Sequence, residues 1–144
     1  MIEFHAGNGP DTQAVGIALE EMFLDYRLAP GRSPLPVVAE GGARIPGAGA
    51  ILLMLARKTG RFLPGDMAEI KRWTEAKTLD LAALDTLLAN SDFILGDFSI
   101  ADMAVYPRIV GDAAAFAAHP AIARWAARMM RRPATGRGMT AVSR

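Results

Sequence analysis

The stretch Phe93 to Arg108, FILGDFSIADMAVYPR, constrains the fold of this chain more than any other. Ser99 and Asp102 stand three apart just before an apolar run. That is the spacing of a capping box, in which a hydroxyl and a carboxylate each satisfy backbone amides at a helix start, with Asp in place of the usual Glu or Gln. The pair predicts a helix from Ser99 to Val110, with Pro107 near its end.

Signals ahead of it alternate between strand and helix. Ile2 to His5 reads as a short strand, broken by Gly7, Gly9 and Pro10. Asp11 or Thr12 is then a suitable N-cap for a helix to about Phe23, with Val15, Leu19 and Met22 on one side. Asp25 to Leu28 is a second strand, and strand, helix and strand this close make a parallel βαβ unit with a right-handed crossover. Leu35 to Ala39 and Ala43 to Ile45 predict a hairpin turning at Gly41-Gly42, followed by a helix from Gly47 to Thr59 that Gly60 stops.

Phe62 to Gly65 reads as a linker. Asp66 caps a segment that can stay helical as far as Asn90, with Met67, Ile70, Trp73, Ala76, Leu81, Leu84 and Leu88 on one side. Lys77 and Asp80 fall within that apolar face, which predicts a bend or partial exposure near Thr78. His119-Pro120 starts a further helix to about Arg131, and Pro133 starts a last short one.

The string around Ser99-Ile100-Ala101-Asp102, with the later Arg132-Pro133-Ala134, resembles the all-helical C-terminal domain of the glutathione transferases. Met1 to Leu28, closing on LEEMFLDYRL, resembles the thioredoxin-like N-terminal domain of that family. The resemblance implies an α+β protein: a thioredoxin-like βαβ-ββα lobe over residues 1–61, then an all-α lobe over 66–144. Both lobes are shortened. Only seven residues, Ala29 to Leu35, occupy the interval where the family has a helix, and a helical crossover needs at least about ten. The topology survives, because seven extended residues reach roughly 23 Å and hopping one strand needs about 10 Å. The family's long helical hairpin is likewise reduced here to the 66–90 segment.

The same resemblance implies the chemistry: thiolate attack by the sulfur of glutathione, as cosubstrate, on a small electrophile. The protein's task is to favour the thiolate with a hydroxyl or amide donor near the first helix N-terminus. In the window Ala6 to Gln13 the candidate donors are Asn8 and Thr12; Asp11, when ionised, would repel the developing charge. Asp11 or Thr12 as a plain N-cap is the competing reading. Pro36 matches the family's cis-proline; on the residues alone it is an ordinary trans edge proline. The backbone of Leu35 beside it is a family contact that the sequence leaves intact. At the start of the following helix the family has an acidic residue and a serine that hold the γ-glutamyl end, whereas here Gly47-Ala48 stand in their place. Backbone amides can still bind a carboxylate there. Loss of the side-chain contacts costs about 1–3 kcal/mol each, some tens-fold in affinity.

Other residues have plainer readings. His5 is expected to be partly buried with a hydrogen-bond partner, Trp73 and Trp125 to fill core or groove, and Tyr106 to find a partner if it does not reach the cleft. The chain has no cysteine and two histidines, which excludes disulfides, thiolate ligands and a cysteine nucleophile, and no metal site is expected. No apolar run is long enough to span a bilayer and no leader pattern opens the chain, so a cytoplasmic, non-membrane protein is expected.

Net charge is +1, yet from Ala113 onward there are no acidic residues, and Arg124, Arg128, Arg131, Arg132, Arg137 and Arg144 all lie there. Four of them interleave with Trp125, Met129 and Met130 as on the solvated face of an amphipathic helix, so nucleic-acid binding is not expected. Shortening the helices that pair family members predicts exposed apolar surface on Met67 to Leu88 and hence a homodimer of unfamiliar geometry. Two readings of function follow: weak or vestigial glutathione transfer, or a catalytically inactive binding or assembly module on the same fold.

Overall fold

Alternation along the first strand decides how the sheet is covered, with Ile2 and Phe4 buried and Glu3 and His5 half-exposed. The computed structural model describes residues 1–142, so Arg144 lies outside them. In chain order the elements are β1 (Ile2–His5), α1 (Pro10–Glu21), β2 (Tyr26–Leu28), β3 (Val37–Glu40), β4 (Ala43–Pro46) and α2 (Ala48–Thr59). The helices α3 (Met67–Thr74), α4 (Leu81–Leu88), α5 (Ile100–Ile109), α6 (Ala113–Ala118), α7 (Pro120–Met130) and α8 (Pro133–Thr140) follow. The sheet is mixed, in the order β2-β1-β3-β4. Strand β1 runs parallel to β2, with Ile2 opposite Tyr26, and antiparallel to β3, with Phe4 opposite Val38. This is the expected α+β architecture of a βαβ-ββα unit followed by helices.

Residues 29–36 cross from β2 to β3 without a helix. The outer face of the sheet answers in its side chains: Arg27, Glu3, Ala39 and Arg44 occupy one cross-strand row, and Arg27 pairs with Glu3. A sheet face left to water is polar, as an antiparallel edge allows. His5 belongs to the same face, but the expected partner is missing. Its Nε2 is buried with no hydrogen-bond partner among the described residues, 3.8 Å from the Glu3 carboxylate.

Three local expectations are corrected. Helix α1 begins at Pro10 with Gly9 as N-cap, so neither Asp11 nor Thr12 caps it. Proline's fixed φ suits the first helical position, and the buried Thr12 hydroxyl instead accepts from the Gly7 N–H at 2.8 Å. Pro36 is trans, the default of an X-Pro bond, since there are no cis peptides among the described residues.

The third correction concerns Met67 to Asn90, which is two helices and not one, while the bend and exposure expected near Thr78 are borne out as a break over residues 75–80. Asp80 acts as a cap and not as an interior residue: its carboxylate accepts from the Ala83 N–H at 3.1 Å. The break removes Lys77 and Asp80 from an apolar helix face and frees carbonyls. The Arg108 guanidinium takes two of them, Ala76 O at 2.6 Å and Lys77 O at 2.7 Å. Ile70, Trp73, Leu84 and Leu88 are consequently all buried. The exposed apolar surface that motivated a homodimer is absent from this segment; the large apolar side chains left exposed are Met1, Phe23, Leu28, Leu35 and Met130.

The capping box at the head of α5 forms as predicted, with Ser99 Oγ accepting from the Ala101 N–H at 3.2 Å. Asp102 does more than its box requires. Its fully buried carboxylate accepts from the Ser99 N–H at 3.0 Å, the Ile94 N–H at 3.0 Å and the Trp125 Nε1–H at 2.8 Å. Burial pushes the carboxyl up to about 6 from an ordinary 3.8, and the three donors pull the other way. A raised folded-state pKa gives stability that is complete below about pH 3.8 and lost as pH rises through about 6. The stability difference between the native protein and Asp102→Asn, measured by urea unfolding, should therefore fall by roughly 2–3 kcal/mol from pH 4 to pH 7. A difference that grows over that window contradicts this.

Part of the positive charge of the tail with no acidic residues is paired, while Arg124 and Arg131 are exposed. Arg132 forks onto the buried Glu21 carboxylate of α1 at 2.8 and 3.0 Å, and the Thr135 hydroxyl adds a third bond at 2.8 Å. Arg137 pairs with Glu20 at 2.8 Å, and Arg128 lies 3.4 Å from Asp92. Of the apolar partners, Trp125 and Met129 are buried but Met130 is exposed. Arg132 and Arg137 thus dock α8 on α1. That docking is at backbone contact: a Cβ on Gly16 would lie 2.5 Å from Gly138 O, and one on Gly138 would run into the backbone of Ile17.

Candidate functional site

Glycine at position 7 lets the β1–α1 loop touch the entry to β3, because a Cβ there would lie 2.7 Å from Pro36 N. The Gly47 N–H donates to Pro36 O at 2.8 Å. The loop after β1, the Leu35-Pro36 peptide and the head of α2 therefore meet at one end of the sheet. Two 12-residue helices start there, and neither has a side-chain cap. In α2 the first intrahelical bond is from the Ile51 N–H to Gly47 O at 3.0 Å, leaving the amides of Ala48, Gly49 and Ala50 without a helical acceptor. Their partial positive charge suits an anion.

Both helix starts open onto a groove of about 310 Å³, whose opposite wall is the end of α3, the break after it, and α5. Asp11, Ala48 and Gly49 line one side, and Trp73, Lys77 and Arg108 the other. The walls are close, since a Cβ on Gly49 would lie 3.2 Å from Thr74 O. Trp73 is 4% exposed, and its indole Nε1–H is buried with no hydrogen-bond partner. The Arg72 guanidinium lies 4.9 Å from its ring centre. A larger recess of about 600 Å³, bordered by Glu3, Arg27, Gly41 and Arg44, lies on the solvated outer face of the sheet.

The structure brings Pro36, Gly47 and Ala48 together, and Ala48 lines the groove. Leu35 is beside them, but its side chain is exposed and its carbonyl already accepts from Ser33 Oγ. Asn8 is exposed in the β1–α1 loop, and Thr12 is buried with its oxygen turned to Gly7. Tyr106 is core, edge-on to Trp125 at 5.9 Å between ring centres, and burial raises its pKa. Sequence reasoning missed Lys77 and Arg108 as lining residues, while Trp73, expected in core or groove, is buried and lines the groove. Arg108 follows Ala104, another lining residue, by four, a spacing that places both on one helix face. Among the described residues no cluster of three His, Asp or Glu side chains could hold a metal ion, and no helix is long and apolar enough to cross a membrane.

A mixed sheet with a βαβ-ββα order, a capped buried helix and a groove at two helix starts make up the glutathione-transferase fold, and this chain has that fold. No family model matches the chain. Among curated proteins it is similar to the disulfide-bond oxidoreductase YghU of Escherichia coli K12, 34% identical over 138 residues, which cover 62% of this chain and 48% of that protein. The chain thus spans about half the length of this relative. Among solved structures it is similar to a glutathione transferase of Burkholderia graminis with two glutathione molecules bound per subunit (TM-score 0.75, 23% identity, 99% of this chain and 89% of that one). It is also similar to YghU of Streptococcus pneumoniae complexed with glutathione (TM-score 0.77, 22% identity, 96% and 82%). A sphingomonad glutathione S-transferase with glutathione bound gives a TM-score of 0.77 at 21% identity, over 96% and 98%. At these identities the structural likeness speaks for the fold.

Proposed function

We propose that this protein binds glutathione in the groove at the heads of α1 and α2 and weakly promotes attack of its sulfur, as the thiolate once the thiol proton is lost, on small electrophiles, a sulfur–carbon bond forming as the electrophile's leaving group departs. The observation that carries the reading is the pair of uncapped helix N-termini, beside the Pro36–Gly47 contact, facing one groove. Bound glutathione in three structures of the same fold supports it. In this reading the part over residues 1–61 supplies the backbone of Leu35, Pro36, Gly47 and Ala48, and the part over 66–142 supplies the opposite wall. Asn8, exposed in the β1–α1 loop, is the candidate side-chain donor to the sulfur that this reading retains, since the Thr12 hydroxyl is buried against Gly7.

Weakness follows from what is missing. Gly47 and Ala48 bring no side-chain donors, the Gly47 N–H is spent on Pro36, and Asp11 puts a carboxylate in the first turn of α1. An ionised Asp11 opposes thiolate formation at that helix start. These same features support the second reading, a binding or assembly module without turnover. The groove is lined by one chain, so neither reading needs a second copy. A cytosolic setting, where the tripeptide is kept reduced, suits both.

Calorimetry with reduced glutathione and a conjugation assay with 1-chloro-2,4-dinitrobenzene test the proposal. The expected results are binding in the high-micromolar to millimolar range and slow but measurable turnover. Millimolar or absent binding with no turnover overturns the transfer reading and selects the module; submicromolar binding overturns the claimed weakness.

A further inference from the structure

Trp73 lines the groove, and its indole N–H is a buried donor with no partner among the described residues. The residue is 4% exposed. Trp125, the chain's other indole, is fully buried and donates to Asp102 at 2.8 Å. Buried indole N–H groups find acceptors in native proteins, and one left over in a groove wall calls for an explanation. The fold holds Trp73 firmly: it sits in the last turn of α3, Arg72 stacks on its ring, and the Thr74 carbonyl abuts the head of α2 at Gly49. Both it and the amide-bearing residues Ala48 and Gly49 line the same groove.

We propose that Trp73 is a ligand-binding residue whose Nε1–H donates to a carboxylate oxygen of the bound thiol tripeptide, the same anionic end that lies over the free amides at the head of α2. This rests on the glutathione-site reading above and deepens it. Two of the groove's charges, Lys77 and Arg108, favour an anion there, while Asp11 and Glu75 oppose it. Formal charge along the walls therefore balances, and the specificity for a carboxylate comes from fixed N–H donors: the indole and the α2 amides. In effect an indole on α3 takes over a grip that Gly47-Ala48 no longer supply from α2.

The full chain carries two tryptophans, so indole ¹⁵N labelling reports on both at once. On titration with reduced glutathione the Trp73 indole signal should move downfield, while that of Trp125, tied to Asp102, stays in place. Trp73→Phe keeps an aromatic ring and drops the donor. It should bind glutathione about tenfold to a hundredfold more weakly, the loss of one hydrogen bond to a charged group, and, because the smaller ring leaves a cavity in the core, unfold at a somewhat lower denaturant midpoint. Glutathione diethyl ester should bind the native protein more weakly than the acid, and Trp73→Phe should discriminate between the two less.

Glutathione binding with an unmoved Trp73 signal and an unaffected Trp73→Phe overturns the role of Trp73 and leaves the site reading intact. Absence of any glutathione binding to the native protein removes the site reading and this inference with it. The native-protein titration decides the matter even if the variant fails to fold.

Discussion

Gly138→Ala should destabilise the protein by about 3 kcal/mol and lower its melting temperature by roughly 10 °C. Helix propensity alone would push the other way by up to about 1 kcal/mol. The new methyl, however, has nowhere to go: it would fall under 3.0 Å from backbone atoms of Gly16 and Ile17, which cannot rotate aside as a side chain would. Helix α8 must therefore lift off α1, and the Glu21–Arg132–Thr135 bonds lie in the same interface. Gly136→Ala is the control, since nothing lies within 4 Å of a Cβ there; it should be neutral or slightly stabilising. Equal melting temperatures for the two variants would contradict the close approach of α1 and α8.

Asp102→Ala should cost about 4 kcal/mol, read as a fall in the urea midpoint with an unchanged slope. Removing a desolvated carboxylate relieves some burial cost. It also strands three buried donors: the amides of Ile94 and Ser99, and the indole of Trp125. Each stranded donor costs about 1–3 kcal/mol, so the loss outweighs the relief. Ser99→Ala touches only one bond of the box and should cost nearer 1 kcal/mol. If the two variants are equally mild, Asp102 does not bind the α5 head, the 94–99 turn and α7 together.

The Ser99–Asp102 box could be read from the chain because both ends of its bonds lie within one turn. Asp102's reach to Trp125 could not, since α7 had first to be folded against α5. The same division holds elsewhere. The mixed sheet, the missing helix over residues 29–35 and the Gly60 stop are set by local signals and by length. Ile70, Trp73, Leu84 and Leu88 fit one long apolar helix or two short ones equally well. What separates the alternatives is Asp80 capping a new helix and Arg108 collecting the freed carbonyls, contacts that pattern does not encode. At the site, Pro36, Gly47 and Ala48 were readable as neighbours through the family resemblance. The unpaired indole of Trp73 was not, because a tryptophan in a helical apolar stripe looks the same with or without a partner for its N–H.

The central claim is that a carboxylate-bearing thiol tripeptide lies over the uncapped head of α2. Backbone amide NMR of the full chain, titrated with reduced glutathione, tests it most directly. The account predicts that the amide signals of Ala48, Gly49 and Ala50 shift together, well beyond those of the outer sheet face. Saturating glutathione that leaves these three amides unmoved, or that moves the Glu3–Arg44 face instead, would contradict it.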